Sequence, residues 1–148
     1  MSLPTAKEIN PIPENLDGAV AERHFLGKTL EEAEALFRDN SLCYQEDLMW
    51  MGPVAFRYYV QAAIGYIQSE ASAEDSDMIN CFTSILEFRL NSEQEELRVV
   101  ASELASVCDY ILKHFDRFDL AEAIYGRVRE RLAAVHNRFL RLKNSKLS

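Results

Sequence analysis

Between Gly52 and Gln68 the long polar side chains fall only at Arg57, Gln61 and Gln68, spacings of four and seven that draw one narrow stripe along a helix. Phe56, Tyr59, Val60, Ala63, Ile64, Tyr66 and Ile67 cover the rest of its surface. Gly52 and Pro53 suit its start, because proline is tolerated in a first turn whose amides have no intrahelical partner. A helix with so thin a polar edge must be enclosed by other helices. Crossing a bilayer would take about 18 or more consecutive apolar residues, and no stretch of the chain offers them.

The enclosing helices follow from the same pattern. Thr29 with Glu32 forms a capping box that opens a short helix to about Arg38, burying Leu30, Ala33, Leu36 and Phe37, with Asn40 as its stop. The following SLCYQEDLMWM is too short and irregular for more than a loop or one turn. Ser72 with Asp75 opens a helix striped by Met78, Ile79, Phe82, Ile85 and Leu86. Ser92 with Glu95 opens the next, whose apolar positions Leu97, Val100, Ala101, Leu104, Cys108, Ile111, Leu112 and Phe115 alternate by three and four. Asp119 with Glu122 opens the last, striped by Leu120, Ile124, Val128, Leu132, Val135, Phe139 and Leu142. Its period near 3.5 also suits pairing with a second helix, as in a homodimer through this C-terminal helix.

Pro4, Pro11 and Pro13 interrupt the first twenty residues, which read as an extended, mobile arm. No strand-like alternation, internal repeat or low-complexity tract appears. The predicted fold is all-α: a compact single-domain bundle of about five helices over residues 21–148, built around a buried central helix at about 52–68. Short connections favour antiparallel neighbours.

Charge changes the picture next. The net charge is −8, yet residues 127–148 hold seven basic side chains against Glu130, so the rest of the chain carries −14. Such an acidic body repels nucleic-acid phosphate, and no nucleic-acid or membrane partner is expected. The basic end could meet an anion, the acidic body or a second subunit. Cys43, Cys81 and Cys108 form no CxxC pair, and Cys81 and Cys108 fall at inward helical positions, so core packing is the simpler reading. The N-terminus lacks the basic-then-apolar order of a signal peptide, and a cytoplasmic location is expected.

Catalytic and metal motifs are scarce. His24, His114 and His136 are widely separated, with neither HExxH nor a Glu-x-x-His pair. Glu74 to Asp77 (EDSD) lacks the glycine and distal glutamate of a calcium loop and suits a helix start instead. Cys108 and His114 lie about 240° apart around a helix and share no face. GxSxG and GxGxxG are absent, and the GKT of Gly27 to Thr29 lacks the upstream glycine of a P-loop. No catalytic residue, metal ligand or cofactor is assigned, and the balance leans against an enzyme.

One cluster offers a binding surface: Tyr44, Glu46, Asp47, Trp50, Arg57 and Tyr58 gather amphipathic aromatics, acids and one arginine. The competing reading has Trp50 and the tyrosines roofing the core, with Arg57 paired to Glu46 or Asp47.

YQEDLMWMGPVAFRYYVQAAIGYI, with FLGKTLEEAEALF before it and INCFTSILEFRL after it, resembles an uncharacterised bacterial family that shares an A-F-R-x-Y helix motif. The resemblance covers about residues 25–90, and Gln61 stands where related domains often have proline. It implies no activity and no site residues. The chain is therefore expected to be a non-catalytic protein-binding module, of immunity or antitoxin type, whose acidic surface receives a basic partner. The alternative is a small-molecule-binding or regulatory protein that uses the Trp50/Arg57 corner.

Overall fold

A computed structural model describes residues 2–145 of the chain. Helix accounts for 81% of it, and the described residues contain no strand, so the fold class is all-α. None of the described helices is long and apolar enough to cross a membrane. The helices gather into two compact units, residues 1–71 and 72–148.

Unit 1 contains α1 (Ala6–Ile9), α2 (Leu16–Phe25), α3 (Leu30–Trp50) and α4 (Pro53–Gln68). The expected N-terminal arm is instead α1 and the start of α2. Thr5 Oγ1 accepts from the Glu8 amide at 3.2 Å while Glu8 Oε1 accepts from the Thr5 amide at 2.8 Å. Asn15 Oδ1 accepts from the Asp17 and Gly18 amides. These caps satisfy orphan amides that would otherwise fray so short a helix. Pro11 and Pro13 occupy the turn between the two helices, and Ile9 is fully buried.

Gly52 explains how α1 is seated. Its amide donates to Ile9 O at 3.0 Å, and a Cβ there would stand only 2.4 Å from Glu8 O. Only glycine lets the α3–α4 corner approach the α1 backbone so closely. The capping box at Thr29 forms as read from the sequence. Asn40 does leave helical geometry (φ −158°, ψ 79°), but the helix restarts at once, because Asn40 Oδ1 accepts from the Cys43 amide at 3.1 Å. The stretch expected as a loop is thus the second segment of α3.

Along α4, Ala55, Phe56, Tyr59, Val60, Ala63 and Ile67 are fully buried, with Ala62 and Tyr66 nearly so. Arg57, Gln61 and Gln68 keep at least partial exposure, as the narrow stripe requires. Helix α4 lies against α3 and α1 within the unit. Burying each of its large side chains stabilises the fold by about 1.5–3 kcal/mol.

Unit 2 contains α5 (Ser76–Glu93), a 3₁₀ stretch (Gln94–Val100), α6 (Ala101–Lys113), a 3₁₀ turn (Phe115–Phe118), α7 (Glu122–Tyr125) and α8 (Val128–Asn144). Helices α6 and α8 pack along one another, and α5 also lies on α8. Leu104, Val107, Cys108 and Ile111 on α6 and the α8 stripe Val128, Leu132, Val135, Phe139 and Leu142 are all buried.

Three of the expected helix starts move. Asp75, not Ser72, caps α5 by accepting from the Met78 amide at 3.2 Å. Ser92 lies inside α5, where its hydroxyl donates to Phe88 O at 2.8 Å. Asp119 adopts left-handed geometry (φ 54°, ψ 48°) and closes the 3₁₀ turn. Gly126, at φ 65°, then separates α7 from α8, so the final stripe begins at Val128 and Ile124 stays 74% exposed.

Candidate functional site

The second segment of α3 has two faces of opposite character. Around a 100° step, Gln45, Leu48 and Met51 turn inward and are buried. Leu42, Cys43, Glu46 and Trp50 share the outward face and are exposed. Leu42 is 53% and Trp50 39% exposed, and Val54 at the start of α4 adds a third apolar side chain, 42% exposed. Further back along α3, Glu31, Glu32, Ala35, Arg38 and Asp39 are also exposed, with Arg38 Nη2 3.6 Å from Glu34 Oε2.

Behind this ridge a polar pin holds α3 to α2. Asp47 Oδ2 lies 2.7 Å from His24 Nδ1, and the Asp47 side chain is only 5% exposed. Burial pushes the Asp47 carboxyl above its ordinary range, and the His24 hydrogen bond opposes that shift. The Tyr44 ring stands edge-on to His24 at 5.0 Å and to Phe25 at 6.4 Å. A second pin ties α4 to α2. The Tyr59 hydroxyl is 2.8 Å from Phe25 O and 2.9 Å from Lys28 O, and donates its one proton to that pair of carbonyls. Burial pushes the Tyr59 phenol up to about 12. The Tyr58 ring packs edge-on to Tyr59 at 4.9 Å.

The six residues singled out in the sequence therefore divide. Tyr44, Asp47 and Tyr58 turn toward neighbours within unit 1, whereas Glu46 and Trp50 stand on the outward ridge. Arg57 is half-buried on the polar stripe of α4, where Gln61 Nε2 donates to its carbonyl at 3.1 Å. His24 takes the hydrogen-bonding position at Asp47 that was suggested for Arg57. The sequence offered no way to find His24: it sits 23 residues from Asp47, in a helix whose stripe says nothing of that partner. Leu42 and Cys43 were missed because their segment was read as a loop.

Chemically, a carboxylate on Nδ1 orients an imidazole, and with the Tyr44 ring set against His24 the pair acts as a pin between helices. Among the described residues, no cluster of three or more His, Cys, Asp or Glu side chains could hold a metal ion.

Unit 2 has its own cleft, about 370 Å³, lined by Phe115, Leu120, Tyr125, Arg127, Arg129 and Glu130. Three of its polar side chains have partners. Arg127 pairs with Glu130 at 3.1 Å, Arg129 stacks 4.3 Å above the Phe115 ring, and the Tyr125 hydroxyl donates to Asp77 at 2.9 Å. The basic residues of α8 brace the same unit: Arg131 Nε donates to Glu87 at 3.1 Å and Arg138 Nη1 to Asn91 at 2.8 Å. The α8 stripe that suggested a homodimer is buried within unit 2.

No family model, curated protein or solved structure matches the chain.

Proposed function

We propose that the chain is a non-catalytic protein-binding module that receives a partner with a basic surface, the kind of capture an immunity protein or antitoxin makes. The observation that carries this reading is the exposed Trp50, set beside Leu42 and Glu46 on a unit with a net charge of −6, eleven acidic against five basic side chains. Tryptophan supplies large, rigid contact area at interfaces, and a field of one sign accelerates the approach of a complementary partner. Trp50 stands on an open helix face, which favours a broad contact over the enclosed small-ligand corner considered with Arg57.

The test is retention from an extract of the native host on the immobilised chain at low ionic strength. A basic protein held in stoichiometric amount, released by salt and lost with Trp50→Ala, supports the reading. Retention of nothing beyond what an unrelated acidic protein of equal charge retains overturns it.

A further inference from the structure

We infer that the ridge Leu42–Glu46–Trp50, continued by Val54, is the docking strip for a basic amphipathic helix of the partner; the inference rests on the protein-binding reading above. Residues 42, 46 and 50 recur every four positions, so their side chains form one row along roughly 12 Å of helix. Apolar side chains at both ends with a carboxylate between them match a partner helix that offers two apolar anchors about two turns apart and a lysine or arginine between.

Charge decides the sign of that partner. Before the Asn40 kink α3 exposes Glu31, Glu32 and Asp39, and after it Glu46, against Arg38 alone, and Arg38 already leans on Glu34. A second copy presenting the same face would set carboxylate against carboxylate, which is unfavourable. The strip is also preorganised. Asn40 caps the segment from one end, and the His24–Asp47 hydrogen bond with the Tyr44 ring fixes it from behind. A helix held this way needs little ordering when a partner arrives.

The probe is a synthetic amphipathic helix of leucine and lysine, about four turns long, titrated into the full chain. Trp50 is the sole tryptophan, so its emission reports on the strip directly. Binding should shift that emission to the blue and move backbone amide resonances at residues 42–54. It should weaken with salt and fall roughly tenfold or more in Leu42→Ala and in Glu46→Lys. Val99→Ala, a 79% exposed position in unit 2, should leave it unchanged.

No binding, amide shifts that bypass the strip, or affinity unchanged in both ridge variants would overturn the inference. So would the same resonances moving with concentration of the chain alone, which would make a second copy the occupant. A host partner retained as above without a peptide footprint here removes the strip and leaves the binding function standing. A footprint here without such a partner does the reverse.

Discussion

The two units secure their helices by different means. In unit 1 the helices are joined by buried polar pins, Tyr59 onto the end of α2 and Asp47 onto His24, and α1, α2 and α3 each open on a side-chain cap. In unit 2, arginines reach across the surface from α8 to α5, and α6, α7 and α8 open without a side-chain cap. A buried hydrogen bond leaves a costly orphan when one partner is removed, whereas an exposed ion pair is screened by water and salt. The pins of unit 1 should therefore be brittle toward single polar changes and the α8–α5 braces of unit 2 tolerant of them. That brittleness comes with a fixed platform behind the α3 ridge.

The largest expected effect tests how tightly unit 1 is fitted. Gly52→Ala would drive a Cβ to 2.4 Å from a backbone oxygen that cannot swing away, and should cost about 3 kcal/mol in urea unfolding. Gly65→Ala is the control. Its Cβ would meet the end of the Glu34 side chain, which can move aside, so little stability should be lost. Next comes Tyr59→Phe, which removes the hydroxyl donor from Lys28 O while Phe25 O keeps the Lys28 amide, and should cost about 1–2 kcal/mol.

Unit 2 supplies the counterpart. Arg131 and Glu87 are each one-third exposed, so Arg131→Met should cost no more than about 1 kcal/mol, less in high salt. A loss equal to that of Tyr59→Phe would erase the contrast between pins and braces.

The smallest effect is one of slope. Burial raises the Asp47 carboxyl, so the folded chain holds that proton more tightly than the unfolded chain does. Stability from this group is then greatest below the ordinary carboxylate value and declines as pH rises through the higher folded one. Asp47→Asn removes the decline: relative to the parent, its stability should climb with pH from about pH 4 upward. Parallel stability curves for the two proteins would refute the assignment.

What could be read in advance was whatever rests on local pattern. Helix α4 was legible because its apolar cover and thin polar stripe leave one way to bury it. Thr29 with Glu32 was legible because both halves of the box lie within one turn. The same spacing stands at Thr5 and Glu8, in a stretch read as an extended arm for its prolines, of which Pro11 and Pro13 sit in the turn beyond α1. Ser92 and Asp119 carry cap-like spacing but open no helix. At Ser92 helix α5 simply runs on, its apolar face still packed as far as Leu90. Of the candidate surface, Trp50 and Glu46 were readable as types suited to recognition. Their orientation was not, because it depends on Asn40 ending one helix and starting another within a few residues.

The central claim is that the face bearing Leu42, Cys43, Glu46 and Trp50 looks outward from a formed helix, and Cys43 reports on it most directly. Native-state alkylation, followed by peptide mass mapping over time, should modify Cys43 first. Cys108, fully buried and with its thiol pushed up to about 12, should react last. Protection of Cys43 in the native chain, with modification only on unfolding, would contradict the account.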